Sequence, residues 1–537
     1  MKLTQKELEN KKIWEDAGFE LPAFDRNKMI ENTKVNPEWI HFGAGNLFRA
    51  FPAAVAQDLL NRGILETGII VAEGYDYEII EKSYKSFDNL NVLVTLKSDG
   101  NLDKKVIGSI AEALCVDTQN KADWNRLKEV FRSPSLKMAS FTITEKGYSL
   151  VDAKQELLKD VASDVTKAPS IATSYIGKLT ALCYERFQNG KLPLTLVSMD
   201  NCSHNGSKLE EAVSTFARLW VENKMVEPEF LAYVLEEISY PWSMIDKITP
   251  RPADTVVKML ESVGFEDTQA IITSKNTYVA AFVNAEQPQY LVIEDHFKNG
   301  RLPLDKGGII YTDKETVDKV EKMKVCTCLN PLHTALAIYG CLLSYEKISD
   351  EMKDKDLVAF IEQIGYVEGL PVVEDPGIIV PKDFIDEVIQ VRLPNPFMPD
   401  TPQRIACDTS QKLGIRFGET IKAYAANPAL DVDDLTFIPL VLAGWCRYLM
   451  AVDDEGNAFK LNPDPLLPSL EPIMKQITLG KTDGIHDIIK PILANTSIFG
   501  VDLYEVGLGE KVENLFIELM QDKGAVRSTL VKYLLSK

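Results

Sequence analysis

One junction constrains this chain more than any other. The short strand-like run Glu38–Phe42 (EWIHF) passes directly into Gly43-Ala44-Gly45 and then into a stretch with helical spacing, Asn46–Arg62. A strand that turns on glycine into a helix is the opening unit of an α/β sheet. Leu47, Ala50, Ala54 and Leu59 are among the apolar positions of the helix. A second strand, Gly68–Ala72, ends at Glu73-Gly74, and more are expected at Asn91–Leu96, Met138–Thr144 and Leu194–Met199. Helical patterns at about 120–132 and 168–188 separate the later strands, so the sheet should be mostly parallel.

After about residue 310 the texture changes to apolar residues at helical spacing, in 331–345, 354–364, 436–451 and 510–535. Pro-rich connections stand at 394–402 and 462–472. The expected fold class is therefore α/β, with a Rossmann-like N-terminal domain over residues 1–310, including an N-terminal extension. A mostly α-helical domain over 311–537 follows, and 240–310 suits either half.

The 79 acidic against 59 basic side chains leave a net charge of -20. Nucleic acid and anionic membranes need a basic footprint, so neither is expected as a partner. A small anionic substrate is compatible, because a local cluster of Lys and Arg can sit inside an acidic exterior. No stretch approaches the roughly 18 unbroken apolar residues of a membrane span, and the charged N-terminus lacks the apolar centre of a signal peptide. Eight Cys without regular spacing read as reduced thiols, and the chain reads as a cytoplasmic monomer or small homo-oligomer.

Glycine between strand and helix lets the chain turn tightly and the backbone approach a pyrophosphate, with helix N–H groups aimed at it. The usual third glycine is replaced by Phe48, and a plain strand-to-helix turn accounts for the same residues. Glu73, at the end of the second strand, stands where such folds hold the ribose hydroxyls, which favours NAD over NADP. A solvated loop carboxylate is the other reading. Gly43, Gly45, Leu47, Phe48, Arg49 and Glu73 form the expected cofactor-binding set. Asn201, in Ser198-Met199-Asp200-Asn201, follows a late strand, at the carboxyl end where ligands collect. His204 suits a turn or capping role at least as well as catalysis.

In Lys324-Val325-Cys326-Thr327-Cys328-Leu329-Asn330-Pro331-Leu332-His333, Asn330 and His333 share a helical face. Asn330 also fits as the cap of a helix starting at Pro331. Cys326, Cys328 and His333 lack the further close ligands of a zinc site, so no metal is expected. Arg404 and Lys412, eight apart, could share one side of a helix and bind an anionic or polyhydroxylated substrate, or form an ordinary solvated face.

Taken in order, HFGAGNLFRAF (His41–Phe51), FTITEKGY (Phe141–Tyr148), SMDNCSHNG (Ser198–Gly206), MIDKITP (Met244–Pro250), LVIEDHF (Leu291–Phe297), LNPLHTAL (Leu329–Leu336) and RLPNPFMPDTPQRIACDTSQK (Arg392–Lys412) resemble the mannitol dehydrogenase family of polyol-specific long-chain dehydrogenases. The resemblance implies a metal-independent, NAD-linked oxidoreductase with its active site between a Rossmann-like and a helical domain. It implies Lys324 as general acid/base, Asn201 and Asn330 polarising the reacting oxygen, and His333 positioning the substrate. Asp246, Arg404 and Lys412 would bind substrate. Among family members, the overall look is most similar to fructuronate reductases, implying reduction of D-fructuronate to D-mannonate. Mannitol 2-dehydrogenase and tagaturonate reductase are the alternatives within the family, and an NAD-dependent sugar-acid epimerase or a non-catalytic sensor the alternatives outside it.

One departure stands out. The family's lysine usually lies five residues before the asparagine, whereas Lys324 lies six before Asn330, and Pro331 replaces a small residue. One extra residue turns a helical position by about 100°, unless a looser turn absorbs it. Lys322 is the fallback base. Because lysine ordinarily titrates near 10.4, a base role asks for desolvation or neighbouring cations.

Overall fold

The computed structural model describes residues 1–536. The described residues form two compact units, 1–97 with 101–318, and 98–100 with 319–536.

The first unit is built on six strands: β1 (Trp39–Phe42), β2 (Ile69–Glu73), β3 (Ile110–Cys115), β4 (Met138–Phe141), β5 (Leu194–Ser198) and β6 (Ile238–Ser239). All pair in parallel, in the order β3-β2-β1-β4-β5-β6. This is the doubly wound order whose crevice opens between β1 and β4, beyond the carboxyl ends of the strands. Side-chain alternation divides the core between the two faces. Ile40, Phe42, Ala139 and Leu196 pack under the helices α3 (Lys121–Arg132), α4 (Tyr175–Gln188) and α5 (Asn205–Glu222). Trp39, Val71, Met138 and Val197 face the other cluster, which contains α1 (Asn46–Ala50) and α2 (Pro52–Asn61).

Two expectations change here. The helix expected over 46–62 is two helices, interrupted at Phe51 (φ -124°, ψ -71°). Pro52 lacks the N–H that a continuous helix would use and starts α2 instead. Asn91–Leu96 is a strand but lies outside the parallel sheet. It pairs antiparallel with Leu102–Ile107 and parallel with Phe282–Glu286, in a separate four-stranded sheet. The connection to Leu102 is too short for a parallel crossover, so the pair closes antiparallel. The extension before β1 folds onto the same unit: Trp14 packs edge-on against Phe19 and Phe265, and the terminal amine binds Gly264 O and Glu266.

The second unit is mainly helical. Its central helices are α6 (Asn330–Leu342), α7 (Phe437–Tyr448) and α8 (Gly509–Leu519). Every residue of α7 is buried, as expected for a helix that is apolar all round. Glu368 caps it, its carboxylate accepting from Thr436, Phe437 and Ile438 N–H at 2.6–2.7 Å, where the positive end of the helix dipole favours an acid. The expected helix over 510–535 is interrupted after Leu519 and resumes at Ala525. Helix Leu467–Met474 begins inside the 462–472 connection. The helical run 314–342 alone, among the described residues, is long and apolar enough to cross a membrane, and most of its apolar window is buried within the protein.

Candidate active site

The glycine loop is built for close approach. Gly43 has φ +106°, and a Cβ there would stand 2.1 Å from Thr142 O, so both backbone and space demand glycine. Gly45 differs: its φ is -80° and no atom lies within 4 Å of where a Cβ would be. The loop is therefore tightly seated at Gly43 and open at Gly45. Buried polar atoms near it without a hydrogen-bond partner are Asn46 Oδ1, the Tyr175 hydroxyl and, beneath the loop, Arg49 Nε and Nη1. Tyr175 covers Gly74 and lies within electrostatic reach of Glu73 and Asp200. An open glycine and orphaned polar atoms at the crevice fit a dinucleotide.

The remaining cofactor candidates divide by burial. Leu47 is partly exposed. Phe48 and Arg49 are fully buried beneath the loop. Phe48 stacks on His41 at 4.2 Å, while Arg49 donates to Ala280 O at 2.7 Å and lies over the Tyr84 ring. They support the loop and do not line it. Glu73 is neither solvated nor idle. One oxygen accepts from Ala44 N at 2.9 Å, the other from Tyr75 N and Asp76 N at 2.7 and 3.1 Å. Its carboxylate ties the glycine loop to the turn after β2, a contact that spacing could not reveal.

Beyond β5, Asn201 is exposed and its amide makes no hydrogen bond with the described residues. The neighbouring Asp200, not singled out from sequence, organises this end of the sheet. It accepts from Ile143 N (3.0 Å), Thr144 N (2.8 Å) and the Tyr148 hydroxyl (2.5 Å). Burial raises its carboxyl above the usual range, and these hydrogen bonds oppose the rise. They also hold Thr144 at φ +65°, ψ 158°, a conformation expensive for a β-branched residue and characteristic of functional sites. Asn205 donates to Ser198, Asp200 and Ser243 carbonyls, joining β5 to the strand Ser243–Asp246 that ends at buried Asp246. His204 is a turn residue: φ is +52°, its ring stacks on Trp242 at 4.1 Å, and Nε2 faces Asp318 at 3.2 Å.

In the second unit, Lys324 is 5% exposed and sits in a π-turn, Met323–Cys328. Leu329 N reaches back to Lys324 O, five residues, at 3.2 Å. A π-turn carries one more residue than an α-turn, so the segment between Lys324 and Asn330 has a geometry able to absorb one added residue. Leu329 (φ -123°, ψ -61°) then breaks the helix and α6 starts at Asn330. The expected capping role of Asn330 is corrected: helix begins with that residue, and its amide makes no hydrogen bond among the described residues. Burial pushes the Cys326 and Cys328 thiols up to about 12, leaving them protonated and unreactive.

His333, one turn on, faces Asp400 at 3.6 Å. That is too long for a hydrogen bond, and Nε2 is buried without one. Burial lowers the imidazole to about 4; Asp400 opposes this, and Arg416, Arg404 and Arg392 reinforce it. Arg404 and Lys412 do not share a helix. Arg404 lies in the short helix Pro402–Ile405, after which Asp408 adopts φ +52° and turns the chain, leaving Lys412 at the end of the next turn. Arg404 is exposed and paired with Asp400. Lys412 donates to the carbonyls of Cys407 and Ile405, and burial lowers its ammonium.

His41 and His333 have a consequence for stability. Burial lowers His41 to about 3 and His333 to about 4, against about 6.5 unfolded. The unfolded chain therefore takes up protons first on acidification. Stability is complete above about pH 6.5 and declines as pH falls towards the folded values. Between pH 7 and 5 each histidine should withdraw about 2 kcal/mol. Urea midpoints at the two pH values should show the decline, and His41→Asn should flatten its part. Midpoints equal at pH 5 and 7 would contradict neutral buried histidines.

Comparison with known proteins agrees with this architecture. Residues 37–306 match the family model described as Mannitol dehydrogenase Rossmann domain, and residues 316–519 match Mannitol dehydrogenase C-terminal domain. The D-mannonate oxidoreductase of Thermotoga maritima is 51% identical over 532 residues, covering 99% of this chain and 98% of that protein. A substrate-free D-sorbitol dehydrogenase superposes with TM-score 0.78 at 22% identity, covering 96% of this chain and 98% of the other. Mannitol 2-dehydrogenase of Pseudomonas fluorescens, solved as a ternary complex with NAD and D-mannitol, superposes with TM-score 0.69 at 26% identity over 100% of both chains. Matched through both domains and along its full length by a relative at 51% identity, this chain belongs to the mannitol dehydrogenase family and is a dehydrogenase of that family.

Proposed function

We propose that the chain reduces D-fructuronate to D-mannonate with NADH, without a metal. The observation that carries this reading is the full-length similarity to a D-mannonate oxidoreductase. The positive influence of Arg416, Arg404 and Arg392 at His333 supports it, since a hexuronate carries a carboxylate and a polyol does not. The open backbone at Gly45, with Asn46 and Tyr175 beside it, supports NAD as the dinucleotide, and a complex of the Pseudomonas relative contains NAD.

The nicotinamide cofactor, when bound, would supply the hydride as NADH in reduction and accept it as NAD in oxidation. Asn201 and Asn330 direct amide N–H groups at the substrate oxygen as negative charge builds there, the role of oxyanion donors. Lys324 delivers a proton to that oxygen, and its neutral form removes it in the reverse direction. His333 Nε2 orients a substrate hydroxyl, and Asp246, Arg404 and Lys412 hold the rest of the substrate. The enzyme is read as acting in the cytoplasm on a small sugar acid.

NADH absorbance followed with fructuronate, tagaturonate and fructose, and NAD reduction with mannitol, tests the reading. Rapid oxidation with fructuronate, unchanged by chelator, is the expected result. Turnover of mannitol and fructose but not fructuronate would overturn the substrate assignment. Changing sugar composition without net NADH change would indicate an epimerase.

A further inference from the structure

The cations around His333 are satisfied differently. Arg404 pairs with Asp400, and Lys412 is held by two backbone carbonyls. Arg416 stands apart. It lies on the π-turn Gly414–Gly418, which packs against the π-turn carrying Lys324 and against α6. One guanidinium nitrogen donates to Thr334 Oγ1, its sole polar contact among the described residues. Thr334 donates its own proton to Asn330 O at 2.7 Å, so towards Arg416 it can act as an acceptor. Burial lowers the guanidinium to about 10, and no acid opposes that shift.

Arg416 is a half-buried cation whose one protein partner is a neutral hydroxyl, so its charge is left without a counter-charge. Its remaining N–H groups form a planar fork that matches a carboxylate with two parallel hydrogen bonds. Thr334 fixes that fork one residue from His333, whose Nε2 also lacks a partner.

We infer that Arg416 receives the carboxylate of the substrate and sets the preference for a sugar acid over a neutral polyol. The inference rests on the hexuronate reading above. Thr334, anchored on the backbone carbonyl of Asn330, holds Arg416 in place.

The test uses the full-length protein and the variants Arg416→Gln and Arg416→Lys, with fructuronate and fructose compared under NADH. Arg416→Gln should raise KM for fructuronate by roughly 10- to 100-fold, the range for losing a charge-assisted pair. It should change fructose turnover and NADH affinity little, and Arg416→Lys should recover part of the loss. An unchanged KM for fructuronate, or equal losses on both sugars together with weakened NADH binding, would overturn the inference. Calorimetric titration of D-mannonate separates this test from the hexuronate reading. If the wild type binds mannonate and Arg416→Gln binds it equally, Arg416 is not the receptor even if fructuronate is the substrate. If the wild type neither binds mannonate nor reduces fructuronate, both readings fall.

Discussion

Replacing Lys324 by alanine is expected to lower fructuronate turnover by about a thousandfold, the middle of the range for a positioned general acid/base, while NADH affinity stays at the wild-type value. Lys324 is held on the π-turn that immediately precedes Asn330 and His333. Lys324→Arg should be nearly as inactive, because a guanidinium keeps its proton at working pH and cannot cycle it. The control is Lys322, two residues away, which is 47% exposed and lies 3.4 Å from Glu374. Lys322→Ala should retain wild-type rates. Steady-state NADH oxidation gives the rates, and quenching of protein fluorescence by NADH reports binding. A Lys324→Ala enzyme with more than a tenth of wild-type turnover would remove the lysine from the chemistry, and loss in Lys322→Ala would reassign it.

The second large effect concerns the two glycines of the loop, which should fail in opposite ways. Gly43→Ala places a methyl group 2.1 Å from Thr142 O on a backbone with φ +106°. Strain and overlap together should cost the first unit about 3–5 kcal/mol, and NADH binding should fall with folding. Gly45→Ala meets no protein atom within 4 Å and has a φ any residue adopts, so stability should change by less than about 0.5 kcal/mol. Its methyl group would project into the space left for the pyrophosphate, and NADH affinity should drop at least tenfold. Urea unfolding beside an NADH titration separates the two outcomes. Normal NADH affinity in Gly45→Ala would mean that the dinucleotide does not pass over this loop.

Legibility followed physical range. Trp39–Phe42, Ile69–Glu73 and Leu194–Ser198 are buried along their whole length, so their apolar runs identify strands directly. β6 has two residues, too few for any pattern to register, and β3 carries Glu112 within its apolar run. The pairing of Asn91–Leu96 depends on Phe282–Glu286, far along the chain and invisible to local periodicity. The spacing of eight between Arg404 and Lys412 suggested one helical face, but Asp408 turns the chain between them.

Local chemistry along the chain was enough to determine the α/β class, the strand-to-helix turn on Gly43 and the helical second half. These follow from side-chain period and glycine backbone freedom, properties of a few consecutive residues. Which groups are already committed was decided only by tertiary structure. Glu73 is taken by three backbone N–H groups and Lys412 by two carbonyls, while the Asn330 side-chain amide and His333 Nε2 make no hydrogen bond among the described residues. The π-turn of Met323–Cys328, which widens the spacing between Lys324 and Asn330, is likewise a tertiary outcome. A hydrogen bond depends on where its partner comes to lie in space, and that position is set by the packing of the whole unit.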